Sequence, residues 1–415
     1  MRIAIVNHHR NLIGGVESYL SQLLPALQDY GHQVAFWSDD QADPGRPQIS
    51  IPFGMPSWSV AESGEQSALA ALVDWQPDVI FAHGLRLPDL EKRIQRIAPA
   101  VFFAHAYYGV CISGAKTFRH PNVKVCDRRF GWQCFLHYYP RRCGGLNPVT
   151  MVREYERQAD RLALLANYRA IAVASEHMAD EYRKYGLGHL VKVVGLPINP
   201  LAEMASANRQ LQGEWRLLFL GRMDELKGGD VFLESLPLAQ FESGKRLHIT
   251  FAGDGPMKEQ WRQKSVKLTN DHPGLKFEFT GWVTAEQRSA LFQRTDLLVV
   301  PSLWPEPFGL VGLEAGQYGV PAVAFRVGGI ESWLDDGING LWVNPEGRRE
   351  QNLGRAIIRC LKDPDFYNQM ARGAAEQASK FSLDAHVRNL MPLLENAINP
   401  QPIRHPLNQE LFQSQ

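Results

Sequence analysis

Two doubly wound α/β domains facing one cleft are the fold that this sequence predicts, and three observations lead to it. The chain has 415 residues, more than one ordinary hydrophobic core accommodates and enough for two. Short apolar strand patterns alternate with amphipathic helix patterns almost from end to end, the order expected of a parallel sheet covered on both faces. The alternation stops at a polar stretch, residues 199–213, and then begins again.

The first series opens with "RIAIVNH", a strand running into the polar, glycine-containing loop "HHRNLIGGVES". Val16, Tyr19, Leu20, Leu23, Leu24 and Leu27 follow at the spacing of one helix face. "GHQVAFWS", "PDVIFAH", "AVFFAH" and "YRAIAVAS" are the next strands. Two of them end in His83 and His105, and Ser175 stands where it would cap the helix "EHMADEY". The second series runs "WRLLFLGR", "RLHITFAGDG", "KFEFTGW", "DLLVVPS", "VPAVAFRVGG" and "GLWVN". These patterns place a first domain at 1–198 and a second at 199–382. A last helix at 383–398 can pack on either domain, with a packing back on the first in view, and a tail without core pattern occupies 399–415.

Composition narrows the function. The chain is 45% apolar and 21% charged with zero net charge, as expected of a soluble protein and not of a nucleic-acid binder. "MRIAIV" already alternates like a strand, and no uncharged run approaches 18 apolar residues. A cytoplasmic location is therefore expected.

In open parallel sheets, ligands bind beyond the carboxyl ends of the strands. The unusual residues stand there: Gly14–Gly15, His83, His105, Arg222, Gly253–Gly255, Gly281 and Glu306. With two such sets on one cleft, a two-substrate enzyme is expected. In "PEPFGLVGLEAGQYG", Pro307 pushes Glu306 away from helical geometry, and a helix is predicted to begin near Gly309 or Leu310, carrying Glu314 on its early turns. Amides at such a start favour anions. Gly312 and Gly316 would let a ligand or a neighbouring backbone approach, and the carboxylates suit sugar or ribose hydroxyls. In "GRMDELKG", Arg222 and Lys227 suit a diphosphate. As plain architecture the same segments read as a packed helix and a solvated loop. His83 reads equally well as a core neighbour, His8 and His9 as solvated loop residues, and Asp254 as a turn former.

"GRMDELKG", followed by "PSLWPEPFGLVGLEAGQYGVPAVAFRVGGIESWLDDGINGLWV", resembles the retaining glycosyltransferases of the GT-B fold, nearest their family four, the nucleotide-sugar-dependent group 1. "GGVESYLSQLLPAL", "PDVIFAH" and the histidine closing the next strand agree. The similarity covers roughly residues 1–110 and 150–398. It implies two Rossmann-like domains, the first for the acceptor and the second for a nucleotide-sugar donor. Arg222 and Lys227 would neutralise the donor diphosphate, Glu306 would bind the transferred sugar and Glu314 the ribose. Phe308, Gly309, Leu310 and Val311 would hold phosphate and sugar through their amides, and Gly281 and Val283 would line the base. Gly14 and Gly15 would let the first loop approach the phosphates, and His105 would stand near the sugar.

The resemblance further implies front-face attack with no protein nucleophile and no catalytic metal, since cations and helix dipoles stabilise the departing diphosphate. Implied partners are a UDP-, GDP- or ADP-sugar and a saccharide or lipid-linked acceptor in surface polysaccharide or glycolipid assembly, with no nucleic acid. Two rivals stand beside this reading: a nucleotide-sugar epimerase of the same fold, and a catalytically inactive transferase-like binding or scaffold protein. The paired glutamates with "PFGL" argue against the first and the intact Arg222, Lys227, Glu306 and Glu314 against the second. A nicotinamide enzyme would need a G-x-G-x-x-G turn, and the first loop has only "IGGVES".

Residues 106–149 do not read as a strand–helix unit. They carry Cys111, Cys126, Cys134 and Cys143, four of the five cysteines. No Cys-x-x-Cys pair is present, so a structural zinc site, disulfides and unconnected thiols all stay open. Between Cys111 and Cys143 lie seven Lys or Arg against one Asp, interleaved with Phe118, Phe130, Trp132, Phe135, Tyr138 and Tyr139. Such a segment either forms a small aromatic core of its own or meets anionic lipid peripherally, at the inner face of a membrane.

Overall fold

The computed structural model describes residues 1–12, 14–40, 43, 45–199, 211 and 213–399. Most of the polar stretch predicted at 199–213, and all but the first residue of the tail, lie outside them. Strands in the first half are β1 (Arg2–Asn7), β2 (Gln33–Ser38), β3 (Ser57–Ser59), β4 (Val79–Ala82), β5 (Ala100–Ala104), β6 (Thr117–Phe118), β7 (Lys124–Val125), β8 (Ala170–Val173) and β9 (Val191–Val193). All but β6 and β7 join one parallel sheet in the order β3-β2-β1-β4-β5-β8-β9.

The second half contributes β10 (Glu214–Leu220), β11 (Arg246–Ala252), β12 (Leu275–Gly281), β13 (Leu297–Val300), β14 (Ala322–Phe325) and β15 (Gly340–Val343). They form a parallel sheet in the order β12-β11-β10-β13-β14-β15. The alternation of the sequence thus becomes two doubly wound sheets. β4, β5, β8, β13 and β14 are buried along their whole length, as unbroken apolar runs must be when helices cover both faces.

Each sheet starts in its middle, grows one way, then returns to grow the other way. The reversal falls between β1 and β4 in the first sheet and between β10 and β13 in the second. Loops leaving those neighbouring strands diverge, which opens a crevice at the carboxyl ends.

The last helix, Leu383–Ile398, packs against the first helix, Gly15–Asp29, and against β4 and β5. Its Val387, Leu390 and Leu394 are fully buried, which sets this end of the chain on the first sheet. The crossing is held where the Ile198 N–H donates to the Phe381 carbonyl at 2.9 Å and the Phe381 ring lies 5.6 Å from that of Phe308.

Between β5 and the helix Pro148–Leu165 lies a small unit built from the antiparallel pair β6–β7 and the helix Gln133–Tyr138. The buried members of its own apolar cluster are Ile112, Phe130 and Tyr138, with the rings of Phe130 and Phe135 set on Tyr155. Lys116, 1% exposed along its side chain, ties the unit to Glu181 of the first domain at 2.8 Å. Arg119 reaches Glu225, in the loop after β10, at 3.6 Å.

Candidate active site

The switch point of the second sheet assembles the most concentrated chemistry. After β10 the chain passes Arg222 and makes one tight turn, Glu225–Lys227, in which the Asp224 carboxylate accepts the Leu226 N–H at 3.1 Å. Gly228 has φ +70°, and a Cβ there would strike the Pro301 carbonyl that closes β13. Only glycine lets the two loops press together. As a result the Lys227 ammonium meets the Glu306 carboxylate at 2.6 Å, although 79 positions separate them. Ser302 donates to the same Oε1 at 2.8 Å, and the Trp304 ring centroid lies 5.0 Å from the Lys227 nitrogen. Glu306 is 6% exposed; a carboxylate so buried needs these partners. Arg222 is exposed; its carbonyl accepts the Asp224 N–H at 2.9 Å, while its guanidinium makes no hydrogen bond or ion pair among the described residues.

Both halves of the molecule hold the backbone that follows. Tyr107, just after β5, donates its hydroxyl to the Pro305 carbonyl at 2.5 Å, and Ser175, at the end of β8, donates to the Pro307 carbonyl at 2.6 Å. The Trp333 indole N–H donates to the Phe308 carbonyl at 2.8 Å. After Gly309 the helix runs from Val311 to Gly316, with Leu310 as its cap residue and Glu314 inside it.

The expectation for Gly312 needs correction, whereas Gly316 meets its backbone alternative. A Cβ on Gly312 would fall less than 3.0 Å from the Trp333 ring, and one on Gly316 would lie 2.7 Å from the Ala374 carbonyl. The Trp333 ring fills the space assigned to a ligand or backbone at Gly312, and Gly316 meets the backbone of the helix Pro364–Ser379.

Glu314 pairs with Arg288 at 3.0 Å. Burial raises its pKa and the guanidinium opposes that rise. The pair lines a cleft of about 300 Å³ with Asn199, Ser289, Gln317 and Tyr318. Gly281, at the end of β12, and Val283 stand at the edge strand of the sheet, three strands from β13.

At the switch point of the first sheet, His83 Nδ1 and His105 Nε2 are 2.8 Å apart. His105 stacks on Phe103 with ring centroids 4.4 Å apart. Tyr19 packs beside both, at 5.9 and 5.6 Å between centroids, and its hydroxyl meets His386 Nε2 at 2.8 Å. The other His386 nitrogen reaches the Gly195 carbonyl at 2.7 Å. Burial, then the positive charge that the His386 imidazole would carry, pushes the pKa of His105 down to about 3. His386 lies at about 4 for the first reason, with the Gly195 carbonyl opposing. His83 is lowered as well by burial and by both histidines. All three are neutral at neutral pH.

The first loop also differs from expectation. His8 pairs with Asp39, and His9 with Asp40 at 2.8 Å, so neither is a freely solvated side chain. The explanation is tertiary: the ends of β1 and β2 lie side by side. Gly14 and Gly15 are exposed at the start of the first helix, and the Gly14 N–H donates to the Glu17 carboxylate at 2.9 Å. Asp254 accepts the Gly255 N–H at 2.8 Å and pairs with Lys258, a turn-forming role.

Lys227 and Glu306 therefore come into contact beside Arg222. Glu314, Gly281 and Val283 occupy separate positions of the same sheet's carboxyl end. His105 belongs to the other sheet and is linked to the Glu306 loop through Tyr107, two residues on. Sequence reasoning passed over Ser302, Trp304, Arg288, Tyr107 and His386. Ser302 and Trp304 at least flank the glutamate motif, whereas His386 looks like any residue on a helix face. The four cysteines are half-buried thiols, and all four line one cavity.

The fold is similar to that of solved GT-B structures. The Anabaena protein HepE in complex with UDP superposes with a TM-score of 0.64 at 18% identity, over 95% of this chain and all of that one. Two family models then cover the sequence, Glycosyltransferase Family 4 over residues 13–200 and Glycosyl transferases group 1 over residues 203–377. The chain belongs to the GT-B glycosyltransferases. Within this family it is 30% identical to a D-inositol 3-phosphate glycosyltransferase of Frankia alni, over 45% of this chain and 46% of that one. It is 25% identical to a glycogen synthase of Mycobacterium tuberculosis, over 91% and 90% of the two chains. The first curated relatives are thus spanned over less than half of their length.

Proposed function

We propose that this chain is a retaining hexosyltransferase that moves a sugar from a nucleotide-sugar donor to a saccharide or lipid-linked acceptor, in surface polysaccharide or glycolipid assembly. The contact of Lys227 with Glu306 at the second switch point, beside the unpaired Arg222, carries this reading. Arg222 and Lys227 offset the charge of the departing diphosphate, and fixed cations in a partly dry site stabilise developing charge strongly. They supply the charge that a divalent ion supplies elsewhere, so no catalytic metal is part of the reading.

Glu306, held by Lys227 and Ser302, accepts hydrogen bonds from the sugar's hydroxyls. Amides from Phe308 to Val311 hold phosphate and sugar, Glu314 beside Arg288 binds the ribose, and Gly281 and Val283 border the base. Gly14 and Gly15 leave the first loop open to the phosphates. The bond from the anomeric carbon to the diphosphate oxygen breaks, a bond to the acceptor oxygen forms on the same face, and the acceptor proton passes to the diphosphate. His105, neutral at pH 7, offers hydrogen bonds and not charge.

The Anabaena protein is solved with UDP, which favours a UDP-sugar over GDP- or ADP-sugars. A thermal-shift series with the three, followed by product analysis by NMR, tests the proposal. One donor at 100 times its Kd should add about 2.7 kcal/mol, and an α-configured donor should yield an α-linked product. Failure of every nucleotide sugar to protect the chain or to be consumed would overturn the proposal, and release of a free epimerised sugar would favour the epimerase.

A peripheral membrane contact is part of the same reading. Trp132, Leu136, Leu146, Val149 and Val152 are exposed among exposed Arg128, Arg129, Arg142 and Arg153, a composition suited to an anionic bilayer surface. Among the described residues no helix is long and apolar enough to cross a membrane. Cosedimentation with phosphatidylglycerol vesicles, but not with neutral ones, is expected, and loss of it in Trp132→Ser/Leu136→Ser would tie it to this surface.

A further inference from the structure

The cysteine-bearing unit between β5 and the helix Pro148–Leu165 is not used by the reaction described above. Its four cysteines are spread over 33 residues of sequence, yet they ring a single cavity of about 30 Å³. We propose that Cys111, Cys126, Cys134 and Cys143 bind one structural zinc ion in this cavity.

Several independent features agree with a thiolate-bound cation. The Lys116 N–H donates to Cys111 Sγ at 3.3 Å. Four thiolates around a divalent zinc leave two negative charges, and Lys116, Arg128 and Arg129 line the same cavity. A set of four sulfur ligands selects zinc over magnesium or calcium.

Stability gives the unit a need for the ion. Ile112, Phe130 and Tyr138 are the buried members of its own apolar cluster, little for a segment of this length, and small units of this kind rely on disulfides or a metal. Zinc coordination ionises its ligands: four S–H bonds break, four Zn–S bonds form and four protons pass to water.

The four cysteines line one cavity, but no three of their sulfurs lie within 4.8 Å of one another. The group of three or more potential ligands found within 4.8 Å of one another among the described residues is His8, His9 and Asp40. There each histidine already holds an aspartate, so that group carries no comparable case. Zinc–sulfur bonds of about 2.3 Å therefore require the cysteine loops to draw inward when the ion binds.

Elemental analysis of the full chain, purified under reductant with no added metal, should find about one zinc per chain. The four thiols should stay inert to a disulfide reagent until a chelator or mercurial releases the ion. Cys126→Ser and Cys143→Ser should each lose the zinc, while Cys360→Ser keeps it. If the serine variants do not fold, cobalt exchange into the unaltered chain decides, through thiolate-to-cobalt charge-transfer absorption and tetrahedral visible bands. Four reactive thiols without metal, two disulfides, or iron in place of zinc would each overturn the proposal. None of these readouts depends on sugar transfer.

Discussion

Lys227 and Arg222 carry the same charge and differ in what holds them. Lys227 neutralises a carboxylate that is 6% exposed, whereas Arg222 is exposed, its guanidinium without a partner among the described residues. Lys227→Ala is therefore expected to leave Glu306 with Ser302 alone and to destabilise the fold by about 1–3 kcal/mol. Arg222→Ala should cost less than about 0.5 kcal/mol. Both should slow transfer on the order of a hundredfold, equivalent to about 3 kcal/mol of transition-state stabilisation. Urea denaturation and donor turnover separate the two effects, and adding Glu306→Gln to Lys227→Ala should restore stability but not turnover. A Lys227→Ala protein as stable as its parent would remove the buried pair from the argument.

The helix Val311–Gly316 shows how an element can invert a local rule. Alanine normally exceeds glycine in a helix by about 1 kcal/mol, so Gly312→Ala ought to stabilise. Here the added methyl would enter the Trp333 ring, and overpacking costs about 1–3 kcal/mol. Trp333 also holds the Phe308 carbonyl, so its displacement should disturb the Glu306 loop and lower turnover. Chemical denaturation of Gly312→Ala is expected to show a net loss of stability. A gain would mean that Trp333 does not pack there.

At the scale of the whole molecule, the halves are joined next to the chemistry. Tyr107 and Ser175 grip the Glu306 loop, and His386 ties the last helix to Tyr19 and to Gly195. His83, His105 and His386 are buried neutral, each with its pKa below the ordinary histidine value. As pH falls below about 6.5, the unfolded chain takes up these protons first. Stability present above that pH is then lost, by about 1.4 kcal/mol per pH unit and per histidine, until pH reaches the folded values near 4 for His386 and 3 for His105. The Tm should therefore fall between pH 7 and pH 5, and more gently in His386→Gln. A flat profile over that interval would contradict the neutral cluster.

The sequence by itself determined the two doubly wound sheets and the strand ends where the candidate residues stand. Apolar periodicity and strand-breaking loops are local, and a parallel sheet with helices on both faces is what such an order can bury. It also marked Lys227, Glu306 and the cysteines as chemically unusual for their settings. Only the tertiary structure decided what they meet. Lys227 reaches Glu306 across 79 positions and Tyr19 reaches His386 across 367, and no spacing rule registers such distances. The same holds for Gly312, whose missing side chain is explained by a tryptophan from another loop. It holds also for His8 and His9, which find their aspartates because β1 and β2 end side by side. Those contacts follow from how strands and helices pack, a property of the assembled core and not of any one segment.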